Sequence, residues 1–153
     1  MAYTRTTWVS EETPISADNM NNIEDGIEEI KNTVGTIYNS NVDTTFSVSS
    51  NGYKTITSLT LPAGVYVVTG HVQCTTIPNN RFAVGVSTSQ TPGMKLDGVQ
   101  THYSSTQYNA NLSLQTTAII NSSSSITVYL SAYSQASTAV TVNSGILRAV
   151  RIK

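Results

Sequence analysis

The chain has 153 residues and a formal net charge of −1, and only 11% of its residues are charged. Ser, Thr and Asn are abundant, yet a hydrophobic content of 39% can fill a core, so the composition excludes intrinsic disorder. The single cysteine, Cys74, excludes an intrachain disulfide, and we expect it to be a small buried residue on a strand. The length suits one domain, or one domain with a stalk.

The N-terminus shows no apolar signal-peptide core, and no apolar run approaches the length needed to span a membrane. We therefore expect synthesis in the cytoplasm without a cleaved export signal, and no membrane partner.

Charge is distributed unevenly along the chain. Residues 1–43 contain eight of the nine acids and two bases, a net charge of −6, whereas residues 44–153 contain six bases and one acid, Asp97, a net charge of +5. Such a contrast indicates two structural units. We predict an N-terminal arm at 1–19, a stalk and linker at 20–43, and a β head domain at 44–153.

The arm contains the single tryptophan, Trp8, in a polar setting without helical periodicity. Two alternatives stay open for Trp8: packing on its own helix, or docking into a partner. A helix start is indicated by Thr13 and Pro14, because proline lacks an N–H where the first turn needs none. Ser16 or Asp18 could cap the first turn instead.

Apolar residues then recur with the spacings 3, 4, 3, 4, 3, at Met20, Ile23, Ile27, Ile30, Val34 and Ile37. This narrow stripe is typical of a coiled-coil seam, and β-branched residues at both core positions favour three or more strands over two. Gly26 and Gly35 weaken the helix by about 1 kcal/mol each relative to Ala, so we expect it to form through assembly. The alternative is a single helix packed on its own β domain.

From Thr44 onward the hydrophobic period is two. The candidate strands are 44–49, 53–61, 65–75, 81–88, 94–102, 106–120, 125–134, 137–143 and 146–152. Turn residues separate them at 51–52, 62–64, 78–80, 92–93, 121–122 and 143–145. Eight or nine short strands without a helical interruption predict an antiparallel β-sandwich, barrel or jelly roll. We expect the last strand to be central, with Ile146, Val150 and Ile152 buried on one face.

Trp8 and the string Thr13-Pro14-Ile15-Ser16-Ala17-Asp18-Asn19-Met20-Asn21-Asn22-Ile23-Glu24-Asp25-Gly26-Ile27 resemble the N-terminal motif of phage head-fibre proteins and of related tail or baseplate fibre proteins. The resemblance covers about a fifth of the chain. It implies a virion protein, synthesised in the host cytoplasm and located on the particle surface. It also implies that Trp8, Pro14 and Ile15 attach the chain to a capsid or baseplate protein.

A second resemblance lies in the β domain. The segment Leu61-Pro62-Ala63-Gly64-Val65-Tyr66-Val67-Val68-Thr69-Gly70 is similar to a strand of the tumour necrosis factor and complement globular-head jelly rolls. Ser144-Gly145-Ile146-Leu147 is similar to the final strand of those domains. The resemblance implies a trimeric jelly roll, although an aromatic content of 7% is low for such trimer cores.

The residues that carry catalysis are scarce. Glycoside hydrolysis needs two carboxylates, and the β domain has Asp97 alone. His71 and Cys74 are three apart on one strand and therefore face opposite sides, which argues against a metal site. Six scattered cations do not form a nucleic-acid surface. We predict no enzymatic activity, no metal, no cofactor and no nucleic-acid partner.

Binding residues are easier to nominate. His102, Tyr103, Tyr108 and Asn109 combine aromatic and amide side chains, a composition typical of sugar-stacking and adaptable polar surfaces. Tyr129 and Tyr133 are four residues apart and therefore lie on one face of a strand. The alternative for all four tyrosines is ordinary packing at a sandwich edge or a trimer interface.

The sequence therefore favours a homotrimeric phage fibre or spike whose N-terminus attaches to the virion and whose β head touches the host surface, with a host glycan as candidate ligand. A secreted lectin-like or cytokine-like module is the main alternative. A tail-borne hydrolase and a purely decorative, particle-stabilising protein are the others.

Overall fold

A computed structural model describes Thr7 and residues 15–77, 79–90, 97–104 and 108–153; within these, it leaves out the side chains of 32, 76–77, 97–100, 102–104 and 108–110. The chain divides into two compact units, Met1–Thr36 and Ile37–Lys153. The first contains one described helix and the second contains nine described strands.

The helix, α1, spans Ala17–Thr33. Ser16 caps it, since its Oγ accepts a hydrogen bond from the Asn19 amide at 3.2 Å. Asp18 in the first turn and Lys31 in the last turn complement the helix dipole. Ser16 rather than Pro14 is therefore the residue that starts the helix.

The predicted seam is wrong at its C-terminal end, because Val34 and Ile37 do not lie on the helix. Val34 is the C-cap, with extended φ and ψ, and Gly35 follows with φ +85°, a conformation that glycine adopts without the steric cost of a side chain. Ile37 is instead the first residue of a strand. Gly35 therefore ends the helix, whereas we expected it to weaken a continuing one.

The β unit consists of β1 (Ile37–Val42), β2 (Phe46–Val48), β3 (Tyr53–Leu61), β4 (Gly64–Ile77), β5 (Asn80–Ser87), β6 (Asp97–Ser104), β7 (Tyr108–Ser122), β8 (Ile126–Ser134) and β9 (Val140–Arg151). The first sheet has the order β1-β9-β4-β7, with β2 also paired to β9, and the second has the order β3-β8-β5-β6. All described pairs are antiparallel. The predicted antiparallel sandwich is confirmed.

The pairing is nested: β5 pairs with β6, β4 with β7, β3 with β8, and β2 with β9. The chain therefore behaves as one long hairpin, β2–β5 outward and β6–β9 back, rolled into two sheets. That order is the jelly-roll order, in which non-local pairs close both sheets.

The core lies between the two sheets and is formed mainly by alternate strand residues, whereas β5 is buried at every position from Phe82 to Ser87. Tyr66, Phe82, Leu61, Leu130 and Leu147 are among its largest fully buried side chains. Cys74 is also fully buried and free, as its sequence context predicts. The Tyr66 hydroxyl donates to the Pro62 carbonyl at 3.0 Å, so the one polar atom of this buried ring has a partner.

Two turn predictions are confirmed by backbone geometry, at Asn51 with φ 48° and at Asn80 with φ 78°. The predicted turn at 143–145 is wrong: β9 continues through it, because β4 pairs with β9 on both sides, although the register shifts between the partners of Gln73 and Cys74. The prediction that the stalk and linker extend to residue 43 is also wrong, because Ile37–Val42 form the strand β1. It pairs with β9 over six residues, and Tyr38 packs edge-on against Tyr66 with ring centroids 5.9 Å apart.

The last strand is central, as predicted, but its faces are the reverse of the prediction. Leu147 and Ala149 face the core and are fully buried, whereas Ile152 is 47% exposed on the opposite side. The alternation of residues along β9 was recognised, but both of its faces carry apolar residues, so the pattern did not show which face meets the second sheet.

Candidate interaction surfaces

The α1 seam, which in the structure comprises Met20, Ile23, Ile27 and Ile30, is an exposed apolar stripe within the first unit. Met20 is 45% exposed, Ile27 61% and Ile30 62%, and Ile23 is half-buried. Ile23, Gly26, Ile27 and Ile30 line a mainly apolar depression on the helix. An exposed stripe of this kind is a candidate interaction surface, since removing large apolar side chains from water lowers the free energy.

The other faces of α1 are polar and acidic. Glu24, Asp25, Glu28 and Glu29 are all exposed, with Lys31 in the last turn. Water solvates these groups on the helix surface without cost. The helix therefore has one face suited to burial and others suited to water.

A second apolar surface lies on the outer face of the first sheet. The apolar row comprises Ile37, Val150, Val67 and Ile119, which are Cα partners in one register across β1, β9, β4 and β7. Ile119 is 72% exposed and Ile37 63%, and the other two are half-buried. Val65 and Ile152 lie beside the row, where the Ile152 amide donates to the Val65 carbonyl at 2.8 Å.

The next registers of that outer face are mostly polar. The next register is Asn39, Arg148, Thr69 and Thr117, and the one after it is Asn41, Ile146, His71 and Gln115. A polar depression is lined by Thr69, Gly70, His71, Gln115, Ile146 and Arg148. His71 Nε2 lies 2.6 Å from Ser113 Oγ, on the face opposite Cys74, as the spacing of the two residues predicts. The apolar row is thus confined to one end of the sheet.

Tyrosines cluster on the outer face of the second sheet. Tyr53 and Tyr133 stack with ring centroids 4.3 Å apart, and the Arg81 guanidinium lies 6.0 Å from the Tyr133 ring. Tyr129 lies on the same strand as Tyr133, half-buried, in register with Ser58 and Ser87. Tyr133 therefore packs against Tyr53 on the sheet surface, the arrangement that the packing alternative describes for this residue.

The predicted ligand-binding residues are divided between the sheets. His102 and Tyr103 lie on β6, in register with Phe82 and Arg81. Tyr108 and Asn109 lie on β7, in register with Ile77 and Thr76. Their side chains lie outside the described part of the structure, so their ligand role stays a prediction.

The predicted attachment residues belong to the first unit. Trp8 and Pro14 lie outside the described residues, and Ile15 is 79% exposed. Their attachment role also stays a prediction.

The sequence alternation showed which residues share a strand face but not which residues of different strands are aligned. For that reason the apolar row was missed: its members come from positions 37, 67, 119 and 150, and the pairing registers alone bring them together. The hydrophobic residues at alternate positions of β4 and β9 on both faces were the one available signal.

Two buried groups in the described part of the sandwich have raised pKa values. Burial raises the pKa of the Cys74 thiol to about 12, so it stays protonated at neutral pH. Burial likewise raises the pKa of the Tyr66 hydroxyl. Across the described residues, no three His, Cys, Asp or Glu side chains are grouped closely enough to hold a metal ion. No helix in the described ranges has the length and apolar character to span a membrane.

No protein-family model matches the sequence, and no curated protein matches it. Several solved structures match the chain at low sequence identity. The VP2 subviral particle of infectious bursal disease virus is 10% identical over 76% of this chain and 32% of that one, with a TM-score of 0.49. The structure of the Gx strain of the same virus is 9% identical over 77% of this chain and 34% of that one, with a TM-score of 0.45. Bacillus endospore appendages, described as disulfide-linked pili, are 11% identical over 78% of this chain and 91% of that one, with a TM-score of 0.39. This chain therefore spans about a third of the viral chains. Likeness at this level carries no argument about function.

Proposed function

We propose that this chain is a structural phage fibre or spike protein. It assembles as a homotrimer through the α1 seam, attaches to a capsid or baseplate protein by the arm that contains Trp8, and displays a jelly-roll head toward the host surface. The observation that carries the proposal is the exposure of Ile27 and Ile30 on a capped helix whose other faces are acidic.

The order of units supports this proposal. A short helix with isoleucine at both seam positions favours three or more chains over two. The β unit follows it along the chain, so a bundle of α1 helices would join several copies of the head in one assembly. Multiple copies strengthen weak surface contacts by raising the effective concentration of each head.

The proposal is tested with a double variant of the full chain, Ile27→Gln with Ile30→Gln. Glutamine keeps helix propensity but removes the apolar seam. Light scattering should show a mass near three times 16.4 kDa for the wild type and near 16.4 kDa for the variant. The matched control is Glu24→Gln with Glu28→Gln on the same helix, which should keep the wild-type mass. A seam variant that stays trimeric would remove α1 as the assembly element.

Adhesion is tested separately from assembly, on an array of bacterial cell-wall glycans. The full-length trimer should bind a subset of them, and Tyr103→Ala with Tyr108→Ala should lose that binding while remaining trimeric. A trimer that binds no glycan on the array would favour the decorative, particle-stabilising alternative. A monomer that binds glycan would favour the lectin-like module.

A further inference from the structure

The polar depression on the outer face of the first sheet has a volume of about 210 Å³. Side chains from β4, β7 and β9 line it, and they are Thr69, His71, Gln115, Ile146 and Arg148. The core lies on the opposite side of these strands, so packing inside the sandwich does not account for this group of polar side chains. The depression is smaller than the pockets of about 300–1,000 Å³ that hold drug-sized molecules, so its volume suits a small ligand.

Strand pairing places Arg148 and His71 diagonally across neighbouring strands. The Cα partner of Arg148 on β4 is Thr69, two residues before His71, and side chains two apart on a strand share a face. Diagonal neighbours of this kind are about 7–8 Å apart, which is within reach of a long side chain. The Arg148 side chain is exposed and the imidazole of His71 is half-buried. A group bound between them can therefore contact both.

Ser113 on β7 fixes the position of the imidazole. Its Oγ lies 2.6 Å from His71 Nε2, which is a hydrogen-bonding distance. If the hydroxyl donates, the ring keeps a proton on Nδ1, and if Nε2 donates, the hydroxyl keeps its own proton. The pair therefore has one further proton to donate in either arrangement. Because the ring is already held, less conformational entropy is lost when it captures a ligand.

Positive charge prevails on the first sheet. Its described strands, β1, β2, β4, β7 and β9, contain no acidic residue, so no side chain of these strands neutralises Arg148. Asp43, in the connection between β1 and β2, lies beyond the Val42–Gly145 pair and does not line the depression. A guanidinium in such surroundings attracts anions and has five N–H groups to donate to them.

We propose that the depression binds the phosphate group of a small phosphorylated ligand. The Arg148 guanidinium donates to phosphate oxygens from β9, and the pair of His71 and Ser113 donates from β4 and β7. A phosphate suits this arrangement because its oxygens point in several directions, so donors on different strands can reach different oxygens. The two oxygens of a planar carboxylate would both be taken up by the guanidinium fork. This inference concerns a single chain and does not depend on the proposed assembly.

The test titrates the full chain with inorganic phosphate at constant ionic strength and follows the backbone amide shifts by nuclear magnetic resonance. In the wild type the shift changes should concentrate at 69–71, 113–115 and 146–148. Arg148→Gln should weaken phosphate binding at least about tenfold, because it removes charge-assisted hydrogen bonds. Ser113→Ala deprives the imidazole of its hydrogen-bond partner and should weaken binding by a smaller factor.

The matched control is Lys54→Gln, which removes the same charge from an exposed position of β3 in the second sheet. It should bind phosphate as tightly as the wild type. Arg148 is exposed as well, so both variants should fold, and far-UV circular dichroism checks this.

Each contrary result has a definite meaning. Shifts that do not respond to millimolar phosphate, or an Arg148→Gln chain that binds like the wild type, would overturn the site. Equal weakening by Arg148→Gln and Lys54→Gln would replace the site with unspecific attraction to a basic surface. Acetate that binds as tightly as phosphate would overturn the choice of phosphate as the ligand. A monomer that binds phosphate in the depression would support the site while contradicting the trimer, so the two proposals fail separately.

Discussion

At the scale of single residues, Gly70 on β4 shows how closely the core is packed. A Cβ added there would lie 2.5 Å from Leu130 Cδ1 and 2.9 Å from Thr116 Cγ2, well inside van der Waals contact. The glycine is therefore required by the space between the sheets and not by backbone conformation.

Gly70→Ala should lower the free energy of unfolding by about 1–3 kcal/mol, because the core must shift to admit one methyl group. Urea titration of the variant and the wild type measures the difference. The control is Ser58→Ala at an exposed position of β3, which should change the stability by less than about 0.5 kcal/mol. A Gly70→Ala chain as stable as the control would contradict the packing.

Cys74 should resist alkylation in the folded protein at pH 8, since burial raises its pKa to about 12 and excludes the reagent. Iodoacetamide labelling with and without urea measures this, and an introduced Ser58→Cys thiol serves as the exposed control. The raised pKa also links folding stability to pH. The stabilisation from keeping this thiol protonated is complete below the unfolded pKa of 9.0 and is lost as the pH rises toward about 12. Rapid labelling of Cys74 without urea would contradict its burial.

At the scale of elements, the sequence predicted most strands to within a few residues because their alternation is regular and the turns at Asn51 and Asn80 need positive φ. It failed at 34–42. There the 3–4 spacing of apolar residues continued through Val34 and Ile37, while the chain left the helix at Gly35 and paired with β9. Pairing with a strand more than 100 residues away is a tertiary effect that local periodicity does not contain.

The pairing of β1 with β9 predicts where the β unit can be truncated without loss of stability. A chain that starts at Ile37 should fold, whereas one that starts at Thr44, the boundary suggested by the sequence, should be less stable. The shorter chain loses the six-residue pairing with β9 and the contact of Tyr38 with Tyr66, and it leaves the edge of β9 unpaired. Thermal unfolding and aggregation of the two chains measure the difference, and equal melting temperatures would contradict the role assigned to β1.

At the scale of the whole molecule, the all-β class follows from many short strands with turns between them, and the sequence predicted it. The nesting itself depends on which distant strands pair, and periodicity does not encode that. The two candidate surfaces also differ in whether the sequence alone could predict them. The α1 seam was readable through Ile30 because it is local, and the apolar row was not, because four separate strands build it.

The central proposal is that this chain assembles as a homotrimer through the α1 seam. The most direct test is the mass of the unmodified full-length protein in solution, measured by light scattering over a range of concentrations. The account predicts a mass near three times 16.4 kDa. A mass of 16.4 kDa at every concentration would contradict it, and the α1 seam would then need another partner.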